Sequence, residues 1–278
     1  MRAARLFKGP SKVRSPGPSY DLRTALSEEI RGALVELDNS ATKPKAVHRC
    51  RLCIKRARAL ARVGRACAPG LSAVFNDSAR AAMRTLASAR DLAALADTAR
   101  ALAEECPKKN AAALQDIAEN LESARAMLPP LNLDAVRAGL KDLLALAQVW
   151  PEASARQIRK GAERVARRAR RARRRGRGSN EPARRHDWRK REKERFYAVT
   201  LLKGAWPDDR AQRRKTSEKL GEVLGAERDA LLLIEHIEGS SAITGKPAKR
   251  ALHELKRRRA RLGARADGLG AKLHAGGA

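Results

Sequence analysis

The sequence predicts an all-α chain made of two pseudo-symmetric four-helix bundles, and three observations carry that expectation. Alanine, leucine and arginine dominate while β-branched residues are sparse, a mixture that favours helix over strand nearly everywhere. No stretch alternates at period two, so no sheet is expected. Sliding the chain by 138 residues superposes His48 on His186, Arg51 on Arg189 and Lys55 on Lys193. The same ungapped shift places Leu86 on Leu224, Arg90 on Arg228, Asp91 on Asp229 and Leu95 on Leu233. A register shared by two motifs this far apart reads as an internal duplication.

Helix breakers divide the chain in order. Residues 1–19, rich in Pro, Gly and Ser and basic throughout, read as a flexible arm; without a hydrophobic stretch they do not read as a secretory signal. The first helix is expected over 20–38, the second over 43–67 with Pro44 near its start and Pro69-Gly70 beyond its end. Residues 72–105 read as one long helix closed by Pro107, and 110–128 as a fourth stopped by Pro129-Pro130. A connecting helix follows over 132–149, with Asn132 as N-cap and Pro151 after it. Helices over 152–175, 181–203, 208–238 and 247–274 complete the chain. A Gly-Arg-Gly-Ser loop separates the first two, Pro182 and Pro247 lie near helix starts, and Asp208 caps the third. The expected parts are thus the arm 1–19, a first half 20–130, a connector 131–151 and a second half 152–278.

Charge narrows the function. Sixty-one Lys and Arg against 31 Asp and Glu leave a formal +30, which repels itself unless a polyanion neutralises it. No apolar run approaches the ~20 residues that span a bilayer. Four cysteines in a chain of 278 residues make no disulfide framework, so reduced thiols and a cytoplasmic setting are expected.

The cations are patterned. On a helix, Arg51, Lys55, Arg58 and Arg62 fall with His48 inside an arc of roughly 80°. Val47, Cys50, Ile54, Ala57 and Ala61 fill the neighbouring arc at core spacing. In the second copy His186, Lys190, Lys193 and Tyr197 share a side, with Arg189 close by and Trp188 facing inward. Arg164, Arg167, Arg168 and Arg171 belong to a denser run that ends at Arg175. Like charges at i, i+3 and i, i+4 weaken a helix by a few tenths of a kcal/mol per pair. Repeated acceptance of that cost is the footprint of a phosphate track.

These motifs resemble the CHAD family, the conserved histidine α-helical domain. The resemblance rests on His48-Arg51-Lys55-Arg56-Arg58, His186-Arg189-Lys190-Arg191-Lys193 with Tyr197, and the later pairs Arg90-Asp91 and Arg228-Asp229. It covers about residues 20 to 275. It implies a basic groove or pore between the two bundles that binds inorganic polyphosphate without catalysis, with association with polyphosphate granules as a further expectation. The implied ligand-binding residues are His48, Arg51, Lys55, Arg56, Arg58, Arg62, Arg164, Arg167, Arg168, Arg171, His186, Arg189, Lys190 and Lys193. His48 and His186 either donate to phosphate or orient a neighbouring cation, and Asp91 and Asp229 hold arginines in place. Glu194 and Phe196 stand where the family often has a basic residue, which predicts a weaker second wall.

Competing classes find less support. Nucleic acid is the alternative polyanion, but three Trp, two Tyr and three Phe offer little surface for base stacking. Neither a helix-turn-helix nor a zinc-finger pattern occurs. Cys50-x-x-Cys53 lacks the second ligand pair of a structural zinc site and sits on the apolar side of its helix, so no metal and no cofactor are expected. No nucleophile–base order or Gly-rich phosphate loop suggests an enzyme.

Overall fold

Asp21 opens the first helix by accepting the backbone N–H of Thr24 at 2.9 Å, satisfying one of the donors that every helix start leaves unpaired. The computed structural model describes residues 21–41, 45–86, 88–129, 131–202, 214–240 and 243–275, excluding the side chains of Ala41 and residues 88–91. The described residues are helical apart from short turns, and the chain is all-α. The helices are α1 (Leu22–Asp38), α2 (Ala46–Gly64), α3 (Pro69–Thr85), α4 (Ser88–Ala103) and α5 (Lys108–Ala126). There follow α6 (Leu133–Gln148), α7 (Ala155–Gly176), α8 (Pro182–Leu202), α9 (Arg214–Gly239) and α10 (Gly245–His274).

One expected helix is two. The stretch expected as a single helix over 72–105 breaks between α3 and α4, where no proline or glycine marks it. Arg51 supplies the reason: its guanidinium donates to the carbonyls of Met83 and Leu86 at 2.9 and 2.7 Å. These are carbonyls of the helix's last turn, which need outside donors. A residue 35 positions away in sequence thus ends α3. Elsewhere local signals serve: Pro69 takes the first turn of α3, and Asn132 caps α6 through the N–H of Ala135 at 2.9 Å. The cap expected at Asp208 lies outside the described residues.

The helices gather into two compact units whose members interleave along the sequence. The first comprises Met1–Leu86, Leu131–Arg175 and Lys190–Lys215; the second comprises Ala87–Pro130, Gly176–Arg189 and Thr216–Ala278. Each unit therefore draws on both sequence halves, and α8 gives its first two turns to the second unit and the remainder to the first.

The core of the first unit joins Leu26 and Ile30 of α1, Ile54 and Leu60 of α2, Phe75 of α3, Leu140 and Leu143 of α6 and Val165 of α7. Trp150 anchors it edge-on to Phe75, with ring centroids 5.9 Å apart, a favoured aromatic geometry. Small residues admit close approach here. A Cβ at Gly161 would lie 2.1 Å from the carbonyl oxygen of Val63, and one at Gly64 would lie 2.6 Å from the Trp150 ring. Backbone of α7 thus rests on backbone of α2. In the second unit α4, α5, α9 and α10 bury Leu102, Leu114, Ile117, Leu233, Ile234 and Leu255 together.

The Gly161 contact makes a prediction. Gly161→Ala forces α7 off α2 and should lower stability by about 1–3 kcal/mol, the usual range for overpacking, read as a lower urea midpoint. Gly70→Ala, where a Cβ meets nothing within 4 Å, should be neutral or stabilise by up to about 1 kcal/mol.

Candidate anion-binding site

On α2 the apolar arc and the cationic arc separate as the spacing requires. Cys50, Ile54, Ala57 and Ala61 are fully buried, and Cys53 packs beside them. Burial pushes the Cys50 thiol up to about 12 and Cys53 up to about 11, so both are protonated core residues rather than thiolate ligands. Among the described residues no three His, Cys, Asp or Glu side chains gather as a metal site would require. No described helix is long and apolar enough to cross a membrane.

The cations of α2 divide by job. Arg51, expected in the exposed stripe, is buried at 8% exposure and spent on the end of α3. Arg56 is also committed, to Glu29 of α1. Burial pushes the Glu29 carboxyl up to about 7, with Arg56 pulling it back. His48 stands exposed and Lys55 half-buried.

Arg58 and Arg62 are different. Both are half-buried and both are pushed below the usual guanidinium range, Arg62 to about 10. Desolvation is the main cause, and neighbouring cations add to it: Arg58, Arg191 and Arg168 press on Arg62. Lys190 lies at the surface with its ammonium partly desolvated, and is lowered by that and then by Arg191, with Arg62 and Arg58 contributing. Helices α2, α7 and α8 therefore bring five cations into one neighbourhood inside the first unit.

Glu194 sits at the centre of this group. It is buried, accepts from Arg191 through both carboxylate oxygens at 3.1 Å, and pairs with Arg62 at 3.3 Å. Its charge also supports Arg58 and Lys190. The residue expected to interrupt the second cationic wall is a buried counter-ion joining that wall to the first.

The start of α8 belongs to the second unit. There Arg185 is buried against Trp188, with its guanidinium carbon 5.0 Å from the ring centre. It donates to both oxygens of Glu227 at 2.9 and 2.7 Å, to Asp267 at 2.6 Å and to the carbonyls of Gly176 and Gly263. His186 stands exposed beside it and lines a small concavity with Arg228 and Arg259. Arg189 lies over Gly225 of α9, 3.8 Å from where a Cβ would stand. Under the 138-residue offset Arg51 corresponds to Arg189 and Leu86 to Leu224, so the two guanidiniums lie at corresponding stretches.

The remaining candidates are dispersed. On α7, Arg168 joins the Arg62 neighbourhood, while Arg167 and Arg171 are exposed and Arg164 is half-buried. Arg167 pairs with Glu163 at 3.5 Å. Lys193 and Asp229 are half-buried, and the side chain of Asp91 lies outside the described residues. Sequence spacing alone did not single out Arg185, or the roles of Glu29 and Glu194. Their partners lie far away in the chain or on the opposite turn, and an acid within a basic run looks like dilution.

A family model for the CHAD domain matches residues 24–238. Among solved structures, the crystal structure of the CHAD domain from the plant Ricinus communis is similar in fold, with a TM-score of 0.66 at 18% sequence identity. The likeness covers 92% of this chain and 91% of that one. No curated protein matches the sequence closely enough to count as a relative.

Two measurements check the assignments of buried charge. Arg185→Lys cannot serve Glu227, Asp267 and two carbonyls at once, and should cost about 3–5 kcal/mol in chemical denaturation, as for a broken buried pair; Arg167→Ala should cost under about 1 kcal/mol. Glu29 keeps its proton in the fold up to about 7, whereas its ordinary value is 4.5. Its contribution to stability is therefore complete below about 4.5 and lost as pH rises towards 7. Glu29→Gln should flatten the stability profile across that window.

Proposed function

The chain belongs to the CHAD family, whose model matches residues 24–238, and on that footing we propose that it is a non-catalytic binding module for inorganic polyphosphate. The observation that carries the reading is the group formed by Arg58, Arg62, Arg168, Lys190 and Arg191. These cations are set against one another, with Arg58 and Arg62 half-buried, and the single carboxylate of Glu194 offsets only part of their charge, which favours a further anion there. Polyphosphate offers about one negative charge per unit and no bases, so it asks for many charge-assisted donors and no stacking surface. His48, Lys55, Lys193, Arg164, Arg167 and Arg171 are further candidate contacts on α2, α7 and α8. His186 and Arg189, with Asp229 as an orienting acid, form a separate set in the second unit. The parallel placement of Arg51 and Arg189 supports reading the chain as an internal duplication. We assign the protein no catalytic step, a cytoplasmic location and association with polyphosphate granules.

The test is a titration of the full chain with long-chain polyphosphate and with duplex DNA at equal charge and about 150 mM salt, following orthophosphate release. Polyphosphate should bind more tightly per charge, affinity should fall steeply as salt rises, and no orthophosphate should appear. Competition by DNA at equal strength would favour a general nucleic-acid binder, and orthophosphate release an enzyme. Reversing Arg58, Arg62 and Lys190 to Glu should weaken binding at least about tenfold, the effect of losing several phosphate contacts. Reversing three cations of residues 1–19 should weaken it far less.

A further inference from the structure

Glu194, at the centre of the cationic group, opposes its use. A residue placed only to attract anions would not be a buried carboxylate bonded to two of the arginines that must hold the ligand. An acid placed only for helix stability would not need a partner on α2, since Arg191 lies three residues away on its own helix. Its oxygens accept from guanidiniums as the non-bridging oxygens of a phosphate do.

We propose that Glu194 is an internal phosphate stand-in that a ligand must displace, and that it sets the minimum chain length the site accepts. The inference rests on the polyphosphate reading above and names the residue that tunes it. An incoming phosphate must replace the carboxylate on Arg62 and Arg191 while suffering its repulsion. A short phosphate offers too few other contacts to offset that cost. A long chain engages the surrounding cations at the same time, because each further unit already tethered binds at high effective concentration. Glu194 thus favours long chains by penalising short ones, discrimination by a repulsive element. In the empty protein the same carboxylate offsets part of the charge of the two guanidiniums it pairs with.

Binding of inorganic tripolyphosphate and long-chain polyphosphate should be measured by calorimetry on the wild type, Glu194→Gln and Asp134→Asn. Asp134 is an exposed acid of the first unit paired with Arg137 on its own helix, so its variant makes the same change in net charge away from the site. Glu194→Gln should raise tripolyphosphate affinity at least about tenfold, long-chain affinity by less, and so narrow the gap between them; Asp134→Asn should change neither ratio. If Glu194→Gln folds poorly, Glu194→Asp keeps the charge while shortening its reach, and should shift the ratio in the same direction by less. Tripolyphosphate should also raise the Tm of the Gln variant more than that of the wild type, since the ligand supplies the missing counter-charge. An unchanged or weakened tripolyphosphate affinity, with wild-type binding of long chains intact, overturns this inference alone. Failure of the wild type to bind long chains overturns both readings.

Discussion

The contact of Gly161 with the carbonyl of Val63 is the constraint on which the first unit depends. A hydrogen in place of a methyl group lets α7 lie against the backbone of α2, closer than side-chain packing allows. Trp150 closes over Gly64 one residue away, so two successive positions of α2 are fixed from two directions. Arg58 and Arg62 project from the turns just before this junction, and Arg168 projects from α7 beyond it. Cations that repel one another are thereby held near one another by an apolar junction, which makes the like-charge group a fixed feature of the fold.

The basic residues then separate into those that each serve several buried acceptors and those that gather around one shared acid. Arg51 ends α3, Arg56 is bonded to Glu29, and Arg185 binds two carboxylates and two carbonyls. Each replaces water around a buried acceptor, so its charge is spent inside the protein. Arg58, Arg62 and Lys190 gather instead around Glu194, while Arg58 reaches the Met83 sulfur and Arg62 the Arg58 carbonyl through single long contacts.

Much of this was legible in the sequence, for reasons that differ by element. The all-helical class followed from composition, and most helix limits from prolines and from Asn132, because those signals act within a turn of the residue that carries them. The core arc of α2 was readable because Cys50, Ile54, Ala57 and Ala61 obey helical spacing. The break between α3 and α4 was not, since a distant guanidinium makes it. Nor was the role of Glu194, because sequence shows an acid among bases and cannot show that Arg62 comes to meet it. Arg51 shows the same limit from the other side: helical geometry put it in the right arc, and the neighbouring helix drew it inside.

Arg51 and Arg185 also bear on how such a chain can drift. If only total charge were under selection, arginine and lysine would exchange freely across the whole length. At these two positions they cannot, because lysine brings a single mobile point charge where a planar fork serves several acceptors at once. A basic protein can therefore keep its composition and lose its shape through one exchange that most substitution tables score as conservative. Its ancestry is better traced through the arginines buried in its interior than through the exposed ones that give it its charge.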